Sequence, residues 1–158
     1  MVTTLERARE IAASIPDPEL PALSIGELGI VRNVTATTRG VEVAITPTYN
    51  GCPAMGVIAL AIEAALLEAG FESVHIRLVR EPGWTSDWIG AEAREKLRAA
   101  GIAPPAPRAA SPSAPTRIAC PRCASTSTEE LAPFGATACK SLWRCLTCRE
   151  PFEHFKCH

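Results

Sequence analysis

Residues 120–148, CPRCASTSTEELAPFGATACKSLWRCLTC, begin and end with a CxxC motif. Structural zinc takes four soft ligands at the corners of a tetrahedron, and one CxxC turn supplies two of them. A module of about forty residues buries little apolar surface, so a metal commonly supplies the stability that it lacks. The spacing therefore predicts a small zinc-ribbon-like β module over residues 117–158, with a structural zinc bound by Cys120, Cys123, Cys145 and Cys148.

Two questions about this module stay open at the level of sequence. Four thiolates also suit iron, alone or in a cluster, although a closed pair of CxxC turns is most typical of zinc. Cys139 and Cys157 lie outside both motifs and are candidates for additional ligands, alternative ligands or thiols without a metal. His154 and His158 could substitute for a cysteine, but histidines near a chain end are more often solvated.

Composition limits the classes of function. Six of the seven cysteines in the 158 residues lie at or beyond Cys120, and such clustering favours metal ligands over disulfides. The formal charge of -1 lacks the basic excess of proteins that bind nucleic acid or anionic membranes. We find no run of 18 apolar residues and no secretory signal, so we expect a cytoplasmic protein with neither a nucleic-acid nor a membrane partner.

A linker divides the chain. Residues 103–116, APPAPRAASPSAPT, contain five of the 14 prolines and few side chains that could form a core. Such segments are extended and solvated. We therefore predict an N-terminal domain over residues 1–102, a linker over 103–116 and the cysteine-rich module over 117–158, with the N-terminal domain folding independently.

The N-terminal domain has the pattern of an α+β fold with a three-stranded sheet. A capping box of Thr3 and Glu6 begins the first helix. Alternating apolar residues predict strands over 30–37 and 41–46, joined as a hairpin at Arg39-Gly40, and a third strand over 74–78. Helical patterns cover residues 53–69 and 87–100, the second capped by Ser86 or Asp87. The helix over 53–69 carries only two charged residues, so we expect it to be buried on most sides.

Cys52 precedes that helix in the sequence Gly51-Cys52-Pro53. Proline suits the first helical position, which makes Cys52 the N-cap residue. There the helix dipole favours the thiolate and lowers the thiol pKa from about 8.5 toward neutrality. Alternatively, Cys52 is a small residue that only caps and packs.

Two further groups have a functional and a structural interpretation. Asp17 and Glu19 flank Pro18 in a stiff turn and could be hard metal ligands or hydrogen-bonding groups, whereas acidic turns are usually just solvated. Trp84 and Trp88 enter the last helix, where they could contact a ligand or protein, or could cover the end of the core.

The chain resembles two related families. The N-terminal part is similar to the small domain of metal–sulfur cluster assembly factors of the SufT type, through Asp17-Pro18-Glu19, residues 28–31 and Gly51-Cys52-Pro53. Nearly the whole chain except the linker resembles the D-type component of bacterial phenylacetyl-CoA epoxidases, and this match adds residues 46–49, 84–88, 134–140 and 150–157. Ala124 replaces the glycine that usually follows the first CxxC turn of such ribbons, but this removes no ligand.

The resemblance implies a maturation factor rather than an enzyme. It implies that Cys52 is a functional thiol assisted by Asp17 and Glu19, that iron or an iron–sulfur cluster is carried transiently, and that the partners are the oxygenase catalytic and reductase subunits. Two other functions remain: a non-catalytic structural subunit of the oxygenase, and a thiol enzyme using Cys52. The thiol enzyme would need a base, and only His75 could supply one through the fold. The oligomeric state stays open.

Overall fold

The computed structural model describes residues 3–106 and 117–156. The chain forms two compact units, which divide between Trp84 and Thr85. Most of the predicted linker, residues 107–116, and the candidate ligands Cys157 and His158 lie outside the described residues. Within the described parts, no helix is long and apolar enough to cross a membrane.

The first unit contains the first two helices and the three strands predicted for the N-terminal domain, whereas the last helix predicted for that domain lies in the second unit. It consists of α1 (Thr4–Ala13), β1 (Val31–Ala36), β2 (Val41–Ile45), α2 (Ala54–Glu68) and β3 (Val74–Leu78). The sheet has the order β1-β2-β3, with β1 and β2 antiparallel and β2 and β3 parallel. This confirms the predicted hairpin and the predicted third strand. Thr3 and Glu6 form the predicted capping box, in which the Glu6 N–H donates to Thr3 Oγ1 at 3.2 Å.

Helix α2 differs from the prediction. Its inner face, formed by Ala54, Ile58, Ile62 and Leu66, is buried in the core of the unit. Its other apolar side chains remain accessible, and Leu60 is 67% exposed. The expectation that α2 is buried on most sides is therefore wrong, because a sheet of three strands covers only one face of it.

The second unit contains a four-stranded sheet. Its elements are a 3-10 turn (Ser86–Trp88), α3 (Ala91–Ala99), β4 (Ile102–Ala103), β5 (Thr128–Ala132), β6 (Lys140–Cys145) and β7 (Pro151–Phe155), and the sheet order is β4-β7-β6-β5. Ala103, which was predicted to begin the linker, instead pairs with His154 of β7. Arg94 of α3 holds the segments around it together, because its guanidinium donates to the carbonyls of Ser86, Ile89 and Pro105.

The predicted helix over residues 87–100 is broken. The Thr85 hydroxyl accepts the Asp87 N–H and caps the separate 3-10 turn, and α3 begins only after Gly90. Neither Ser86 nor Asp87 is therefore the cap of α3, whose N-cap residue Gly90 has no side chain to bond. Glycine is unfavourable inside a helix, which explains why the helix predicted from the apolar spacing is interrupted at Gly90.

Candidate metal centre and thiol site

The four predicted ligands come together at one end of the second sheet. The sulfur atoms of Cys120, Cys123, Cys145 and Cys148 all lie within 4.8 Å of one another. The Cys120–Cys148 and Cys123–Cys145 sulfur pairs are 3.8 and 3.6 Å apart. A tetrahedron of ~2.3 Å zinc–sulfur bonds has an edge of about 3.8 Å. These two sulfur pairs therefore match the edges of a tetrahedral site for a thiophilic metal ion.

Both CxxC turns direct backbone N–H groups at a sulfur atom. The Arg122 N–H points to Cys120 Sγ at 3.4 Å, and the Cys148 N–H points to Cys145 Sγ at 3.5 Å. Each turn closes on the carbonyl of its first cysteine, which accepts from the N–H of Ala124 at 2.9 Å or Arg149 at 3.1 Å. These donors favour the charged form of the sulfur, which is the form that binds a metal.

Cys145 and Cys148 do not ionise alike. The Cys148 N–H, with help from the Thr147 N–H and neighbouring thiols, lowers the pKa of Cys145 to about 6 against the opposing effect of burial. The Glu150 N–H lowers the pKa of Cys148, but burial and the other three sulfur atoms outweigh it and raise that pKa to about 12. One ionised sulfur thus makes ionisation of the neighbouring thiols costly. A bound metal cation offsets this repulsion between thiolates, and its binding releases the remaining thiol protons.

The residue after each CxxC turn has a left-handed backbone: φ is 61° at Ala124 and 69° at Arg149. A side chain at such a position costs roughly 1–2 kcal/mol, and glycine avoids that cost. Because position 124 lacks the usual glycine, the backbone of the first CxxC turn is locally strained. The cysteines of that turn still lie in the four-sulfur group.

We expect Ala124→Gly to stabilise the second unit by about 1 kcal/mol, because the strain outweighs the entropy that glycine loses on folding. Denaturant unfolding at a fixed metal concentration measures this change. Ala119→Gly is the matched control, since Ala119 is exposed and has an ordinary backbone angle. Ala119→Gly should destabilise slightly, and equal effects of the two substitutions would contradict the assignment of strain to Ala124.

Cys139 and His154 are not part of the four-sulfur group. Cys139 is buried, and its sulfur lies 2.9 Å from the Thr137 hydroxyl. His154 was expected to be solvated, but it is buried, and burial lowers its pKa to about 4, so the ring is neutral at pH 7. Neither ring nitrogen has a hydrogen-bond partner within the described residues.

Cys52 lies beside the first turn of α2, but it is not the helix cap. Pro53 takes the N-cap position, and the helix begins at Ala54. Burial raises the pKa of the Cys52 thiol above its ordinary value, and this effect outweighs the hydrogen bonds with the Ala54 N–H and the Tyr49 side chain. The predicted lowering of this pKa is therefore wrong: at neutral pH the thiol keeps its proton until a metal or a base displaces it.

The acidic turn lies close enough to Cys52 to act on it. The charges of Glu19 and Asp17 both raise the pKa of the Cys52 thiol. Asp17 is buried rather than solvated, and its Oδ1 accepts the N–H groups of Glu19 at 2.8 Å and Leu20 at 2.7 Å. Asp17 thus shapes the turn that carries Glu19, and the charges of both acidic residues act on the Cys52 thiol.

This electrostatic coupling can be measured directly. We expect Glu19→Gln to lower the pKa of Cys52, because removal of a nearby negative charge favours the thiolate. At a pH below the Cys52 pKa, Glu19→Gln should therefore be alkylated at Cys52 by iodoacetamide faster than the parent. Mass spectrometry of the Cys52 peptide from metal-loaded protein measures this rate across pH. Glu68→Gln, at the far end of α2, should leave the rate unchanged; a Glu19→Gln rate equal to that of the parent would show that Glu19 does not act on the thiol.

Tyr49 is a contact of Cys52 that the sequence interpretation missed. Besides its side-chain hydrogen bond, its carbonyl accepts the Cys52 N–H at 3.3 Å. The signal for this contact was the turn sequence Asn50-Gly51, in which Gly51 has a φ of 79°, since such a turn brings residues three apart together. His75, the base that the sequence offered, instead faces Glu42, with 4.0 Å between Nε2 and Oε2.

Trp84 has a structural role. It is buried, and its Nε1 donates to the Leu28 carbonyl at 2.7 Å. The geometry therefore supports the interpretation that Trp84 covers the end of the core, not the one in which it contacts a ligand or protein.

Comparison with known proteins identifies the family. The chain is 48% identical over 147 residues to a protein of Escherichia coli (strain K12) that is named, provisionally, as the D component of 1,2-phenylacetyl-CoA epoxidase; the match covers 93% of this chain and 89% of the relative. The chain belongs to the PaaD family of phenylacetyl-CoA epoxidase components. Residues 104–156 of this family member match the model of the PaaD zinc beta ribbon domain, and residues 6–77 match that of an iron–sulfur cluster assembly protein.

Solved structures share the fold of a large part of the chain. A domain of unknown function, DUF59, from Bacillus anthracis has a TM-score of 0.54 and 25% identity, and the match covers 59% of this chain and 90% of that one. The conserved hypothetical protein TM0487 from Thermotoga maritima has a TM-score of 0.51 and 30% identity, and the match covers 60% and 94% of the two chains. Together with the mixed α+β architecture, these similarities confirm the predicted fold class.

Proposed function

We propose that this PaaD family member is a non-catalytic maturation factor of the phenylacetyl-CoA epoxidase system. It would assist the insertion of iron or an iron–sulfur cluster into the oxygenase or the reductase subunit. The observation that carries this proposal is the electrostatic coupling of Cys52 to Glu19 and Asp17 in the unit that matches an iron–sulfur assembly domain. A zinc ion bound by the four clustered cysteines of the second unit would have a purely structural role.

The groups around Cys52 suit a transient metal better than a resident one. Cys52 is a single soft ligand with two carboxylates within electrostatic range, unlike the closed four-sulfur set of the second unit. Because the pKa of Cys52 is raised, metal binding must displace a proton, which weakens the bound state at neutral pH. A site that releases its metal readily is what delivery to another protein requires.

The four-cysteine site has the opposite character. Cys120 and Cys145 are buried, and four sulfur ligands complete a tetrahedron with no position left for a substrate. The match to a zinc beta ribbon supports zinc as the occupant. We therefore assign stability to this site and transfer to the Cys52 site.

The same geometry disfavours a thiol enzyme. A nucleophilic cysteine needs a lowered pKa or a neighbouring base. At Cys52 the pKa is raised, and the residues whose charges act on it are two carboxylates. A structural subunit remains the competing function, and stoichiometry separates it from a maturation factor.

Reconstitution tests the proposal. The epoxidase catalytic and reductase subunits should be produced with and without this protein, and their iron content, acid-labile sulfide and activity compared. We expect clients made without it to contain less iron, and clients already loaded to remain active after its removal. Co-purification at fixed stoichiometry, with activity that is lost whenever it is removed, would instead identify a structural subunit.

A further inference from the structure

Helix α2 has a second apolar face that the fold of its unit does not use. Val57 is 57%, Leu60 67% and Leu67 46% exposed. With Ala64, which is also exposed, they recur at the spacing of a single helix face and lie opposite the buried side chains of α2. We call Val57, Leu60, Ala64 and Leu67 the outer stripe.

Acidic residues border this stripe on both sides. At 3.6 residues per turn, the outer stripe spans about 80° of the helix surface, with Glu63 on one border and Glu68 on the other. They are the only charged residues of α2. An exposed apolar patch within a charged rim is the usual form of a protein interaction site.

The outer stripe begins next to the thiol site. Val57 lies in the first turn of α2, about 4.5 Å along the helix axis from Ala54, and Cys52 precedes Ala54 by two residues. Pro53 and Gly56, which lie between them in sequence, are both exposed. A protein lying on the outer stripe would therefore extend close to the partly exposed Cys52.

Area and charge together indicate the occupant. A stable specific interface buries about 800 Å² per partner, which four partly exposed side chains of this size do not provide. Two copies of α2 facing each other would also place acidic borders against acidic borders. These observations disfavour a second copy of this chain and favour a transient partner with an apolar patch edged by lysine or arginine.

We infer that the outer stripe of α2 is the docking surface for the client protein, which it holds against Cys52. This inference rests on the proposed maturation function and adds the surface and the charge of the partner. It assigns a role to the exposed leucines that neither the fold nor the metal centre explains.

Biolayer interferometry tests this docking surface. It measures how tightly the full chain binds the metal-free catalytic and reductase subunits of the same epoxidase. We expect Leu60→Asp to weaken binding of one of these subunits about tenfold or more, as truncation of a central contact does. Reversal of the rim, Glu63→Lys with Glu68→Lys, should weaken it as well and alter its salt dependence. Leu131→Asp is the matched control, because Leu131 is 47% exposed but lies on β5. This variant should bind as tightly as the parent.

Three results would overturn the inference: no binding of any subunit by the parent, unchanged binding by Leu60→Asp, or a dimer of the parent in sedimentation that Leu60→Asp dissociates. Cys52→Ser separates docking from maturation, because it should bind as tightly as the parent while failing to activate the client. If Cys52→Ser activates the client fully and Leu60→Asp still loses binding, the docking surface stands and the proposed metal transfer fails.

Discussion

Cys145→Ser should abolish metal binding and unfold the second sheet. Cys145 is completely buried, ends β6 and lies in the small core of the unit with Ile118 and Phe152. Serine cannot supply a thiolate, and three remaining sulfurs leave an incomplete tetrahedron. Since apparent zinc affinities of small zinc modules amount to about 10–16 kcal/mol and are coupled to folding, the loss should exceed what this core can offset.

Elemental analysis and circular dichroism of the full chain measure this effect. We expect the parent to contain a single zinc ion and Cys145→Ser to contain almost none, with loss of the β signal of the second unit. Cys139→Ser is the control, because Cys139 is a buried thiol outside the four-sulfur group and should retain the metal. Iron in place of zinc would correct the metal, and a metal-loaded, folded Cys145→Ser would refute the site.

Cys52→Ser should abolish client activation while leaving this protein folded. Cys52 is only partly buried, and a serine hydroxyl can accept the same Ala54 N–H, so this substitution costs the fold little. Activation should fall to the level of cells without the protein, because the hydroxyl is a poor ligand for iron. This is the largest functional effect that we expect from a single atom.

The comparison is made in cells that carry the parent, Cys52→Ser or no copy of the protein. Epoxidase activity and the iron and acid-labile sulfide of the purified reductase are the measured quantities. Thermal unfolding of purified Cys52→Ser checks that its fold is retained. If Cys52→Ser matures the client as well as the parent does, Cys52 is a packing residue and the proposed transfer is wrong.

Features that depend on local spacing could be predicted from the amino-acid order alone. Two CxxC motifs placed the four metal ligands, because each turn fixes its pair of sulfurs within four residues. The capping box at Thr3 and the alternation in β2 and β3 likewise indicated the helix start and the strands of the first unit. In each case the interacting residues are close in sequence or follow a regular period.

The environment of each group, by contrast, depends on how the chain packs. The sign of the pKa shift at Cys52 follows from burial and from carboxylates more than thirty residues away, so the helix dipole expected from local sequence did not prevail. The burial of α2 also depends on packing. Its apolar sequence predicts burial on most sides, but one small sheet can cover only the face that carries Ile58 and Ile62. Burial and long-range charge are properties of the packed chain, and no local pattern contains them.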